Sequence, residues 1–242
     1  MKLDQNPKLF GSKIIDAIPQ TGHCPNRCTG CFYNNGFYRT LDKPQVPTVE
    51  EVGDRLVRVN SGHDSNIQKG LVLETTEKYK KKFYNTSIAN YDFPAPVVYT
   101  ANGRRDDEWI ESRKWNKVEA VEFLKNVMAV RFRVNTWNLK ECDGCVDYYN
   151  QMDIPVLLTF MRYPLYEQVR EIENYEFHKH IINSYYCIKE EAFSKIVARY
   201  ADNKLVQVCG KTYGNSYCKN CMNCVENYER AMAKKKEGGE NV

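Results

Sequence analysis

Apolar positions along this chain switch period repeatedly, with short strand-like runs giving way to stretches at helical spacing. Ser12 to Pro19 (SKIIDAIP) reads as a first strand that runs directly into a cysteine-bearing loop. Thr48 is an N-cap for a helix over Val49 to Arg55, and Glu51 completes a capping box. Leu56 to Asn60 (LVRVN) alternates as a strand does and stops at Ser61-Gly62. Ser65 is placed to cap a helix reaching about Lys81, with Gly70 as its weak point. Phe83 to Ile88 and Val97 to Thr100 are further short strands, the second ended by Asn102-Gly103.

Asn116 then caps a helix, KVEAVEFLKNVMA, in which Val118, Val121, Leu124, Val127 and Met128 recur at helical spacing. Val130 to Thr136 is a strand, Cys145 to Met152 a helix, and Ile154 to Phe160 a buried strand. Pro164 to Lys189 has no clear period and reads as irregular or partly helical. Glu190 to Tyr200 is a helix, Leu205 to Val208 a last strand, and the lysine-rich tail from Met232 through Gly238-Gly239 is expected to fray. Strands alternating with helices predict parallel β/α units. Ligand-handling groups in such folds gather at the carboxyl ends of the strands. The cysteine loop after the first strand falls on that edge.

At 242 residues the chain can bury the core of one domain with a small appendage, here 1–204 followed by a cysteine-rich segment, 205–242. A net charge of +4 is too small to indicate nucleic acid as a partner. No signal-peptide pattern opens the chain, and the longest strongly apolar run, Ile154 to Met161, is too short to span a bilayer. These features lead us to expect a soluble, cytoplasmic protein with no membrane partner. Ten cysteines in such a compartment point to metal rather than to disulfides.

Three of them lie in TGHCPNRCTGCFYNN: Cys24, Cys28 and Cys31. Three thiolates on one short loop leave one iron of a [4Fe-4S] cubane free for an exogenous chelating ligand. A structural zinc site using His23 or a distant cysteine is the alternative, although no partner pair is set by spacing. Cys209, Cys218, Cys221 and Cys224 form a second group in VCGKTYGNSYCKNCMNC, sufficient for tetrahedral zinc or for a fully ligated cubane. Two consecutive two-residue spacings favour the cubane, since they present three irons of one cube within a tight loop.

The Cys-x3-Cys-x2-Cys motif after the first strand of a β/α chain resembles the radical S-adenosylmethionine (SAM) superfamily. The resemblance implies a partial (β/α)6 barrel, a SAM-binding [4Fe-4S] cluster, and reductive cleavage of SAM to a 5′-deoxyadenosyl radical. That radical abstracts hydrogen from a substrate, and the electron comes from a one-electron reductant such as flavodoxin or ferredoxin. The C-terminal cysteines resemble a shortened auxiliary-cluster extension of the same superfamily, which favours a peptide or protein side chain as substrate. Gly30 stands where many members carry an aromatic residue, so Phe32 or Tyr33 takes the adenine contact. Asn60-Ser61-Gly62-His63-Asp64 replaces the usual Gly-Gly-Glu. Ser61 and Asp64 are the acceptors for the SAM ammonium there, against a simpler reading as a turn that caps a helix. Asn135 and Asn138 follow the fifth strand, where members contact the ribose or the methionine carboxylate.

Two other readings stay open. Gly30 and Asn34 are similar to the loop of activating enzymes of anaerobic ribonucleotide reductase, which implies a glycyl-radical activase. A zinc-stabilised binding module without catalysis is the alternative from another class. Cys142 and Cys145 read as ordinary thiols, or as a redox pair at a helix start. Cys187 reads as packing, and His178 and His180 as solvated. Lys80 to Lys82 and Arg104-Arg105 read as solvent faces, whereas Arg162 at a strand end is suited to hold a carboxylate or phosphate.

Overall fold

The computed structural model of the chain describes residues 6–28, 31, 42–102, 120, 122–180, 184–215 and 217–237. Six parallel strands lie side by side in chain order: β1 (Ile14–Ala17), β2 (Leu56–Val59), β3 (Lys82–Thr86), β4 (Val97–Thr100), β5 (Val127–Val134) and β6 (Val156–Phe160). The chain then builds a three-stranded antiparallel sheet from β7 (Arg162–Tyr163), β8 (Tyr175–His178) and β9 (Tyr185–Ile188), with β9 in the middle. It returns through a helix to β10 (Val206–Val208), which pairs parallel to β6 as the seventh strand of the main sheet. Among the described residues no pairing joins β1 to β10, so the sheet is open.

The described helices are α1 (Val49–Val52), α2 (Lys69–Thr76), α3 (Leu139–Asn150), α4 (Glu190–Ala198), α5 (Cys218–Cys221) and α6 (Asn223–Glu237). Strands joined to their chain neighbours by right-handed crossovers put the intervening helices on one face. That face holds the larger core, where Ile15, Val57, Tyr84, Val130, Phe132 and Leu158 pack with Val72 of α2, Val146 of α3 and Phe193 of α4. The other face is stratified. Ile14, Leu56, Phe83, Val98, Ala129 and Leu157 form an apolar tier, covered by Leu9 and by Val225 of α6. Two residues further along the same strands stand Asp16, Arg58, Asn85, Thr100, Arg131 and Thr159, a polar tier set by the period-two alternation.

The Thr48 cap forms as expected: its Oγ1 accepts from the Glu51 amide (3.2 Å), and the Glu51 carboxylate accepts from the Thr48 amide (2.8 Å). Other expectations are corrected. Ser65 does not start a helix, because its amide donates to the Asn85 carbonyl (3.0 Å) and its hydroxyl accepts from Asn60 (3.2 Å). α2 therefore begins only after Gln68, which is left-handed at φ 51°. Val127 and Met128 belong to β5, where Val127 pairs with Val97, so sheet pairing overrides their helical spacing. Asn116, Val118 and Val121, with Gly103, Arg104 and Arg105, lie outside the described residues. α3 starts six residues before Cys145 and ends at Asn150.

Pro164 to Lys189, taken as irregular or partly helical, holds two short 3-10 helices, Tyr166–Gln168 and Ile172–Asn174, and also β8 and β9 of the antiparallel sheet. The tail stays helical to Glu237, because Arg230 and Lys234 both reach Asp153; Gly238 and Gly239 lie outside the described residues. From the C-terminal segment, β10 pairs with β6 in the main sheet and Val225 of α6 lies in the second core.

Candidate functional site

A cavity of about 510 Å³ opens over the polar tier. Strands β2 to β6 contribute to it at or near their carboxyl ends, and the loop after β1 contributes its cysteines, as parallel sheets do. Cys24, Cys28 and Cys31 line one side, and Cys209 and Cys218 another, so the fold brings both cysteine groups of the sequence to one space. Burial pushes the Cys24 and Cys28 thiols up because desolvation disfavours the thiolate, and at Cys28 the Ser87 hydroxyl and the Arg133 charge oppose it.

A buried network holds the first cysteine loop. The Asp64 carboxylate accepts four hydrogen bonds: from the Asn66 amide (2.9 Å), Thr86 Oγ1 (2.7 Å), the Ser87 amide (2.6 Å) and Ser87 Oγ (2.9 Å). Ser87 Oγ also accepts from Asn26 Nδ2 and lies 3.4 Å from Cys28 Sγ, and Asn26 Nδ2 donates to the same sulfur at 3.4 Å. Asp64 thus ties the end of β3 to the loop after β1. Its lone pairs are committed to that task, and it meets the cavity as a positioning group.

Acceptors without a partner do exist beside it. Asn60 follows β2 in the left-handed region (φ 61°), which asparagine tolerates better than most residues, and its Oδ1 is buried without a hydrogen bond. Desolvation holds the His63 imidazole below its ordinary pKa. A neutral ring with Nε2–H donating to the Gly22 carbonyl (2.9 Å) leaves Nδ1 as an acceptor, and that atom is buried without a partner. Ser61 lies between them on the cavity wall. Asn60 and His63 thus leave two buried acceptors unmet beside the cavity.

The second cysteine group sits where α5 and α6 meet the polar tier. Cys209 donates to Cys221, which raises the former's pKa and lowers the latter's, and the Gly210 amide adds a 3.3 Å hydrogen bond to Cys221 Sγ. Burial raises Cys224, opposed by the Arg131 and Arg58 guanidinium groups. Arg58 Nη1 is 3.9 Å from Cys218 Sγ. Among the described residues, the one trio of His, Cys, Asp or Glu whose donor atoms all lie within 4.8 Å of one another is Glu176, His178 and Cys187.

The cavity is cationic. Lys8, Arg58, Arg131, Arg133 and Arg162 line it, and among the described residues Asp64 is its one carboxylate. Arg58 pairs with the buried Asp16 across β1 and β2 (2.6 Å); burial opposes its charge, but the carboxylate prevails and its pKa rises. Such walls suit thiolate-bound clusters and anionic ligands. Arg162, expected at a strand end, also packs over the Tyr185 ring at 4.6 Å. Asn135 is removed from the cavity wall: its Oδ1 accepts from Tyr163 and Tyr175, while its Nδ2 has no partner. Asn138 is also buried, its amide donating to the Arg133 carbonyl (3.0 Å). Gly30, Phe32, Tyr33 and Asn34 lie outside the described residues.

Cys142 and Cys145 are fully buried, and desolvation pushes the Cys142 thiol up to about 12, so both are protonated packing groups. No protein-family model matches the chain, and comparison with curated proteins and with solved structures finds no match. The sequence assigned no role to Arg58, Arg131 and Arg133, although basic residues at alternate positions of otherwise apolar strands must find partners once buried; Asn60 and His63 stood only as members of the loop after β2.

Proposed function

We propose that this chain is a radical SAM enzyme with a partial (β/α)6-barrel architecture and two [4Fe-4S] clusters. The observation that carries the reading is a coincidence in space. The Cys-x3-Cys-x2-Cys loop lines the same cavity as Asn60 and His63, whose Oδ1 and Nδ1 are buried acceptors that lack any hydrogen bond. Cys24, Cys28 and Cys31 would hold the SAM-binding cluster, and Cys209, Cys218, Cys221 and Cys224 the auxiliary one. When bound, the reduced cluster and SAM supply a 5′-deoxyadenosyl radical able to abstract a hydrogen atom from substrate.

The remaining roles fall to the chain itself. Asn60, Ser61 and His63 accept from the SAM ammonium, and Asp64 fixes the loop that presents them. Arg131 and Arg133 balance the negative charge of carboxylate and thiolates. Tyr33 is the proposed adenine contact, and Asn135 supports the end of β5 from behind. The antiparallel sheet walls off part of the cavity, which limits the access of water to reactive species. The substrate we favour is a peptide or protein side chain, with a flavodoxin- or ferredoxin-type reductant.

The test is metal analysis of anaerobically purified protein together with SAM turnover under strong reductant. About two cubanes and release of 5′-deoxyadenosine are expected, with release abolished in Cys28→Ala. Stoichiometric zinc without acid-labile sulfide would overturn the reading.

A further inference from the structure

The antiparallel sheet carries a feature that neither cysteine group needs. β8 and β9 pair so that Glu176 lies opposite Cys187 and His178 opposite Tyr185. Residues two apart on a strand share a face. Glu176, His178, Tyr185 and Cys187, with Arg162 opposite Cys187 on β7, therefore point to the same side. That side is the cavity, which Arg162, His178, Tyr185 and Cys187 all line. His178 Nε2 is 2.9 Å from Glu176 Oε1, and Cys187 Sγ is 4.0 Å from the same oxygen.

We propose that Glu176, His178 and Cys187 form a mononuclear site for a divalent transition metal, zinc foremost, with its fourth coordination position open to the cavity. The donor set is the mixed N, O, S type that zinc accepts, and three protein ligands with one vacancy is the pattern of sites that bind an exogenous group. All three donor atoms already lie within 4.8 Å of one another, so a tetrahedral ion needs only a small adjustment of side chains. The surroundings suit the role. Tyr213 donates its hydroxyl to Glu176 Oε1, the kind of outer contact that orients a ligating carboxylate. Tyr185 stacks on the His178 ring at 5.4 Å, which restricts its rotation. A thiolate and a carboxylate neutralise the dication, so the assembled site adds no net charge to a cationic cavity. The exogenous ligand it would take is a substrate heteroatom with a lone pair, a thiolate or carboxylate above all.

The proposal stands apart from the iron-sulfur reading, and cobalt(II) titration of the folded full-length chain tests it by difference. Wild type, Cys187→Ser, His178→Ala and Glu176→Gln are titrated under the same anaerobic conditions, so metal bound at the other cysteines cancels. Wild type should take one more equivalent than Cys187→Ser, and that equivalent should carry a thiolate-to-cobalt charge-transfer band. His178→Ala and Glu176→Gln should weaken it more than about tenfold, since loss of a direct ligand exceeds the usual effect of an outer contact. The His178 and Glu176 side chains are 40% and 41% exposed, so these two variants should keep the wild-type unfolding midpoint. Equal cobalt stoichiometry in Cys187→Ser, or wild-type affinity in both other variants, would overturn the assignment.

Discussion

Replacing Asp64 by asparagine tests how the first cysteine loop is held. The carboxylate accepts four hydrogen bonds in a buried setting, and the amide offers one oxygen and one donor instead. If the amide oxygen faces Ser87, the new NH2 meets the Asn66 amide, and a buried N–H loses its partner. If the amide turns over, the Ser87 amide is orphaned. An unmet buried donor costs about 1–3 kcal/mol, and the surviving bonds lose their charge assistance. A total near 3 kcal/mol follows, which in a chain of this size lowers the unfolding midpoint by roughly 6–12 °C. Urea denaturation and thermal melting of Asp64→Asn measure it. Because Ser87 bridges Asp64 to Cys28, the variant should also retain less iron at the first cysteine group. Ser61→Ala, in the same loop, should keep wild-type stability. An Asp64→Asn protein that melts and binds iron as wild type does refutes the argument.

Arg58→Met leaves Asp16 buried without its partner and should cost about 3–5 kcal/mol by urea denaturation, part of it recovered in Arg58→Met/Asp16→Leu; equal stability of the two variants would contradict this. The Asp153 carboxyl is held below its ordinary value of 3.8, first by its hydrogen bond from Lys234 and also by Arg230. A depressed carboxyl stabilises fully above its unfolded pKa and loses that contribution as pH falls through the folded one. Asp153→Asn should therefore flatten the loss of stability below about pH 4, and an unchanged acid limb would show the contact to be inert. Cys221→Ala and Cys224→Ala should still release 5′-deoxyadenosine while failing to form product; loss of SAM cleavage with the first cluster intact would refute that division of labour.

Much of the main sheet was legible because its signals are local. LVRVN and IPVLLTF are bounded by turn residues or by proline, and β4 coincides with the residues expected. The Thr48 capping box reads directly because both partners lie within four residues. The Ser65 helix failed for the opposite reason: Ser65 answers to Asn85, twenty residues on. The antiparallel sheet escaped because its clue is a period of two within a segment lacking strong apolar alternation. Glu176-x-His178 followed by Cys187 becomes a cluster only once both runs are known to be strands. The two cysteine groups were visible as spacings, but their meeting at one cavity depends on β10 joining β6. No spacing encodes that.

The tiered face of the sheet has a consequence for the order in which the protein is made. Its apolar tier, from Ile14 to Leu157, is complete when β6 leaves the ribosome, yet Val225, which covers it, emerges nearly seventy residues later. During that interval the part of this apolar tier that α6 covers stands open. The same late segment carries Cys218, Cys221 and Cys224, so capping that surface and assembling the second thiolate group are one event. On the proposed reading, in which those cysteines hold a cluster, metal supply governs how long the nascent chain stays adhesive. Scarcity of the ion should register first as aggregation of newly made protein, before any deficit in the finished molecule.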